Sequence, residues 1–290
     1  MAQPRIEVTA PVRRTLRGGL AQAAAVHEGA SRRLGLAGLT AETDACATAS
    51  CTWPAPCSGG VAPPGGKHPS SCCPQILTGD PFTVYAAACT DVLDPATAAE
   101  RARAKLAGGR WRCIESQLFA HMQAAAVDVS PPYGSGATGI AGAVAALEQA
   151  LGDVYDGQAV IHAPRYAAAF AARDRLVCGC GDMTAPVTVL GNAWAFGAGY
   201  SADGPNGQTS TECVFWLYAT GAVDVYIGPV SEAGANDVTG NESFHVYEQS
   251  VATLLDCPGV YAARVTLTDC CTCGHTLPAE GPALTAADCT

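Results

Sequence analysis

Near the C-terminus, Cys270-Cys271-Thr272-Cys273-Gly274-His275 gathers three thiols and an imidazole, the soft ligands that zinc takes. Structural zinc sites leave roughly two to four residues between paired ligands, so that one tight turn aims both sulfurs at a single tetrahedron. Here only Cys270 and Cys273 stand at that spacing, which makes Cys270, Cys273 and His275 the candidate metal ligands. Cys178 and Cys180, with Asp182, offer a thinner second group. One correctly spaced pair is a sparse basis for a four-coordinate site. Disulfides formed late, or plain reduced thiols, are the stronger readings, and no bound metal is expected.

A second stretch suggests a cofactor. Gly134-Ser135-Gly136-Ala137-Thr138-Gly139 matches G-x-G-x-x-G and runs into a helical pattern, as a dinucleotide-binding turn does. Such a turn should leave directly from a strand, yet Pro131-Pro132-Tyr133 follows residues 127–129. The next strand closes on His162-Ala163-Pro164, where an acidic residue would be needed to hold a ribose. A flexible hinge accounts for the glycines, and no cofactor is expected. Nucleophilic catalysis lacks its parts too, because the chain has no G-x-S-x-G elbow. His162 ends a buried strand, where donation to a backbone carbonyl is the ordinary role of an imidazole. Nothing sets a serine or cysteine against His121 in a long helix or His245 in a strand. Asp153 and Asp156 flank a helix end and should face solvent. The chain reads as a non-enzyme, with a soluble Rossmann-like oxidoreductase or a Cys-rich metal-binding protein as the alternative.

Composition narrows the class further. The chain has 290 residues, enough to bury a real core in one large domain or two smaller ones. A formal charge of −10 is the wrong sign for a generic nucleic-acid binder, which needs a basic face against phosphate. No window approaches the roughly twenty uninterrupted apolar residues of a spanning helix, so no membrane partner is expected. Arg13-Arg14, then Leu16 and Leu20, resembles a twin-arginine signal, but His27, Glu28, Arg32 and Arg33 interrupt the apolar stretch, and the product reads as soluble and non-secreted. The 15 cysteines include two clusters: Cys46, Cys51, Cys57, Cys72 and Cys73, then Cys270, Cys271, Cys273 and Cys289. A protein made in the cytosol that finishes outside a cell could close disulfides late, within or between subunits.

The elements that would position these groups form an α+β pattern. Residues 1–45 show little apolar periodicity and read as an extended or loosely helical arm. Residues 46–80 are dense in Pro, Gly, Ser and Cys and read as a long loop, which in a compact protein is functional or packs against a neighbour. Residues 81–86 read as a strand and residues 95–126 as a long helix, with Asp94 as its cap. Ala107, Trp111, Ile114, Leu118 and Met122 form that helix's inner stripe, and Gly108-Gly109 marks a bend or close contact. Next, Ile140, Val144, Leu147 and Leu151 share a helical face from which Glu148 and Gln149 point away, and Gly157 stops the helix. A short strand over 159–161 ends at Pro164, and a helix resumes over 166–173. Strands are expected at 187–190, 193–200, 213–219, 222–227, 244–255 and 261–268. Val223, Val225 and Ile227 alternate onto one buried face, with Thr220-Gly221 a tight turn from the preceding strand.

In their order these segments resemble the major capsid proteins of tailed bacteriophages, those of actinobacteriophages in particular, with the Hong Kong 97-like fold that encapsulin shells also use. DPFTVYAAAC followed by ERARAKLAGGRWRCIESQLFAHM is similar to the strand and spine helix of such subunits. LEQALGDVYDGQAVIHAPRYAAAF, VLGNAWAFGAGYSADGP and FWLYATGAVDVYIGPV are similar to axial-domain segments, and HVYEQSVATLLDCPGVYAARVTL to the closing strands. The resemblance implies an N-terminal arm over 1–45, an extended loop and strand over 46–93, a spine helix of the peripheral domain over 94–130 and an axial domain over 131–243. Strands returning over 244–272 and a tail over 273–290 complete it. It implies copies of the chain in pentamers, hexamers or both, in an icosahedral head shell assembled in a host cytoplasm. It leaves room for a second capsid, scaffold, portal or decoration protein and for packaged DNA held non-specifically. In some members a Lys–Asn isopeptide bond joins neighbours. Lys67 lies in the loop, but the residues identify no partner asparagine, and inter-subunit disulfides are the alternative linkage.

Overall fold

The computed structural model describes residues 17–31, 33–43, 75–91, 95–131, 139–178, 185–211, 213–237, 242–257 and 259–267. In chain order the elements begin with α1 (Leu20–Ala23), β1 (Ala25–Glu28), α2 (Leu34–Ala37), β2 (Leu39–Thr43), β3 (Gln75–Gly79), β4 (Pro81–Asp91) and α3 (Pro95–Ala125). There follow β5 (Val127–Asp128), α4 (Ile140–Gly152), β6 (Val160–Pro164), α5 (Ala167–Arg173) and β7 (Ala193–Gly197). The last are β8 (Val214–Thr220), β9 (Val223–Asp237), β10 (Glu242–Leu255) and β11 (Tyr261–Thr266). They make a four-stranded sheet β1-β9-β10-β4, a five-stranded sheet β5-β11-β8-β6-β7 and the pair β2-β3.

The 31-residue α3 ties the two larger sheets together. Ala102 and Leu106 share a cluster with Val84, Ala88, Tyr247 and Val251 of the four-stranded sheet, while Phe119 and Met122 share it with Trp216 and Tyr218 of the five-stranded one. Phe119 meets Tyr218 edge to face at 5.2 Å. The other face of the five-stranded sheet carries Ile161, Trp194, Phe196, Phe215 and Leu217 against Ile140, Val144, Leu147 and Ala171 of α4 and α5. Strands β6 and β7 are therefore buried on both faces, β7 at the sheet's edge included, which is why they read as continuous apolar runs rather than alternations. Val223, Val225 and Ile227 do alternate into one core, at 2% exposure or less.

Several expectations shift by a residue or a role. The α3 stripe runs through Ala98, Ala102 and Leu106 in its first half, and Ala107 is exposed. α4 ends at Gly152, ahead of Gly157, with Asp153 at its C-cap position. Residues 187–190 are no strand: Val187 makes isolated bridges, and a tight turn follows in which Gly191 takes φ +89°. Thr220-Gly221 links β8 to β9 across two sheets and so closes no hairpin.

α3 passes through Gly108-Gly109 unbroken, and a Cβ added at Gly109 would meet nothing within 4 Å. The expected close contact is absent at that glycine. Gly109→Ala should therefore raise folding stability by about 1 kcal/mol, from restricted backbone freedom in the unfolded chain, read as a higher urea midpoint.

Pro229 has no N–H to give a ladder, and the β9–β10 register slips there: Gln249 faces Val230 while Val251 faces Ile227. Gln249 Nε2 donates to Gly228 O at 3.2 Å, satisfying a carbonyl that the bulge turns aside. Beyond the bulge the same face is kept, now by Val230, Glu232 and Gly234.

Candidate assembly surface

Three parts of the chain meet at Glu115, which is 3% exposed. Its Oε1 accepts from Leu20 N–H at 3.0 Å and its Oε2 from Gly199 N–H at 2.9 Å. The first donor opens α1, and the second lies in the turn after β7. A Cβ at Gly199 would run into the α3 backbone at Arg112 and Ser116, so only glycine lets this turn lie on the helix. Phe196 N–H donates to Gly18 O, and Arg165 donates to Arg17 O, so the start of the described chain is laced to β7 and to the α5 approach. From there β1 joins β9 in parallel, where His27 stacks on Tyr226 and pairs with Asp224, and Glu28 pairs with Arg110.

His162 is 1% exposed and has no backbone carbonyl partner; its ring bonds two hydroxyls instead. Thr220 Oγ1 donates to Gly221 O, so its lone pair is left for His162 Nε2–H at 2.9 Å. Nδ1 then accepts from the Tyr200 hydroxyl at 2.9 Å. Burial lowers the His162 pKa to about 3, and burial also raises that of Tyr200. The imidazole is neutral and fully spent on structure.

On the surface, Glu148 does not point away from the protein. Its Oε1 accepts from Thr188 Oγ1 at 2.5 Å and Asn192 Nδ2 at 2.9 Å, while Asn192 Oδ1 accepts from Ala159 N–H. The turn so fixed presents Val189 at 76% and Leu190 at 72% exposure. On the outer face of the four-stranded sheet Tyr85, Cys89 and Phe244 are exposed, with Cys89 directly opposite Phe244. A cleft of about 480 Å³ opens between β3, β4, α3 and β10, lined by Ile76, Phe82, His121 and Leu255 among others. Apolar surface held on rigid elements is what an association interface requires.

The residues named from sequence fall unevenly. Cys270, Cys271, Cys273, His275 and Cys289 lie outside the described residues, as do Cys46, Cys51, Cys57, Cys72, Cys73, Lys67 and Asp94. So do Gly134 to Thr138 of the glycine motif, whereas Gly139 is the N-cap of α4. The strand that follows α4 pairs antiparallel with β8, unlike the all-parallel pairing of a dinucleotide fold. Cys89, Cys113 and Cys178 are exposed thiols. Cys257, 4% exposed and not singled out from sequence, is disulfide-bonded. His121 borders the cleft, and His245 lies 3.4 Å from Glu232. Among the described residues no group of three or more His, Cys, Asp or Glu is placed to hold a metal, and no helix is long and apolar enough to cross a membrane. Glu115 was legible as the one acid on α3's apolar stripe, four residues after Trp111. Nothing in the local pattern distinguished Glu148.

Comparison with known proteins finds no matching family model and no match among curated proteins. Solved structures do match. The capsid of an empty GTA particle superposes with a TM-score of 0.52 at 14% identity, covering 90% of this chain and 100% of that one. A virus-like particle from Pyrococcus furiosus superposes with a TM-score of 0.50 at 8% identity, covering 84% of this chain and 91% of that one. Sequence this divergent carries no inference about chemistry, but the path of the backbone is shared nearly end to end, so the chain has the Hong Kong 97-like capsid fold.

Proposed function

We propose that this chain is the major capsid protein of a tailed double-stranded DNA phage, a non-enzymatic subunit that self-assembles into the icosahedral head shell. The observation that carries this is a fold shared with the subunits of two particles over 90% and 84% of this chain and 100% and 91% of their own lengths. The rigid apolar features support the same reading, because a lone soluble chain gains nothing from holding Val189 and Leu190 in water on a braced turn. In this assignment residues 1–45 are the arm, 46–93 the extended loop and strand, and 94–130 the spine helix. Residues 131–243 form the axial domain, 244–272 return to the peripheral domain, and 273–290 are the tail. Copies fill pentamers, hexamers or both in the virion head. Packaged DNA faces an acidic subunit that does not grip it, with a portal, scaffold or decoration protein as further partners.

The test is the size of the native material. Light scattering and negative-stain microscopy of the purified full chain should show closed particles of megadalton mass. A monodisperse monomer or dimer at high concentration would refute the proposal. The same particles on non-reducing gels report inter-subunit disulfides among Cys46, Cys51, Cys57, Cys72, Cys73, Cys270, Cys271, Cys273 and Cys289. A ladder that collapses with reductant is expected.

A further inference from the structure

Among the described residues, part of β9 has one edge with no partner strand. On one side it pairs with β10 along nearly its whole length; on the other, β1 covers only Asp224 to Ile227. Past the bulge at Pro229 no strand lies beside the outer edge of β9 among the described residues, and Ser231, Glu232, Ala233, Gly234 and Ala235 are all exposed. A row of free N–H and C=O groups is a template for another strand, and proteins that must stay apart blunt it with lysine, proline or a covering segment. The opposite edge of the same sheet is blunted in this way: β4 starts at Pro81, and Lys105 Nζ donates to Ala87 O at 3.0 Å. The distal β9 edge has no lysine, and Ala233, Gly234 and Ala235 are too small to shield it.

We propose that this edge pairs antiparallel with the same edge of a second copy, about a two-fold axis at Ala233, so that the four-stranded sheet continues across two subunits. The proposal rests on the shell reading, since it needs a chain that associates with itself. The register follows from charge and shape. Centred on Ala233, Ser231 faces Ala235 and Glu232 faces Gly234, so no acids oppose each other and the glycine leaves room for the longer side chain. Centring on Glu232 would set two carboxylates directly opposite, which is destabilising. Centring on Ser231 would bring Pro229, with no donor, into the ladder. Such a short ribbon buries far less than the roughly 1,200 Å² of a stable dimer, so it serves as one contact among several in a closed assembly. Because both copies use one patch, the contact is isologous and stops at two.

The test uses the full chain with Ala233→Cys and, separately, Ala235→Cys, both at exposed positions that leave the core untouched. After mild oxidation, peptide mass mapping of Ala233→Cys should yield a 233–233 linked peptide, because the two positions then face each other. Ala235→Cys, which would face Ser231, should yield no 235–235 link above the background of the native thiols. Absence of the 233–233 link, or equal linking at both positions, overturns the pairing. Scattering on the unsubstituted chain reports the shell reading separately. If no particle forms, that reading fails, while a 233–233 link in concentrated subunits would still establish the edge pairing.

Discussion

Glu115→Ala is expected to lower folding stability by about 2–4 kcal/mol and to loosen one end of the chain more than the rest. The side chain is 3% exposed, and its two oxygens serve backbone N–H groups from different segments, Leu20 and Gly199. Truncation leaves both donors buried without acceptors, at roughly 1–3 kcal/mol each, and opens a small cavity beside Gly197 and Gly199. Relief of the carboxylate's own desolvation offsets part of this, which is why the expected loss stays below the simple sum. Glu115→Gln separates hydrogen bonding from size. It keeps one acceptor and turns an NH₂ toward the other donor, so about half the loss should remain. Urea midpoints of the purified chain measure the totals. Hydrogen exchange should place the effect at Leu20 and Gly199, with β10 amides slowed by their own ladder and little changed. Uniform acceleration across both sheets would show that Glu115 fills volume and does not fasten the segment at Leu20.

Much of the architecture was written in periodicity. α4 declared itself through Ile140, Val144, Leu147 and Leu151, all of which are buried. The proximal part of β9 did so through Val223, Val225 and Ile227. Periodicity is legible when an element has one wet face and one dry one, and both of these do. It fails where both faces are dry: β6 and β7 look alike as apolar runs, and only tertiary pairing tells which neighbour each takes. It fails again at polar groups whose partners are far along the chain. Glu148 sits on the rim of an amphipathic helix, where an exposed carboxylate is the ordinary case, and its partners Thr188 and Asn192 come forty or more residues later. His162 could be placed at a buried strand end, but its bonds go to Tyr200 and Thr220, 38 and 58 positions away, and not to the nearest carbonyl. The overall identity of the fold came from the order of such elements, with no single motif to mark it.

The buried imidazole makes the chain sensitive to acid in a way that one substitution should remove. Burial holds His162 neutral by lowering its pKa from 6.5 to about 3. In the unfolded chain the same ring takes up a proton near pH 6.5, so between those values the unfolded state binds more protons than the folded one, and stability falls as pH falls. Above about pH 6.5 this contribution is complete and flat. Below it the loss approaches about 1.4 kcal/mol per pH unit, or about 2 kcal/mol by pH 5. Protonation in place is no escape, since Nδ1–H would confront the hydroxyl proton of Tyr200, which has no second acceptor among the described residues. His162→Gln can still donate to Thr220 and accept from Tyr200 but cannot titrate. It should be less stable than the parent at pH 8, from the lost edge-to-face contact with Tyr200 at 5.3 Å, and should lose less on acidification. Carboxylates elsewhere add slopes common to both proteins, so the quantity to measure is the difference between their urea midpoints from pH 8 to pH 4. That difference should shrink and then reverse sign. Parallel curves across the range would mean that the ring is reached by solvent in the folded chain and titrates there as it does in the unfolded one.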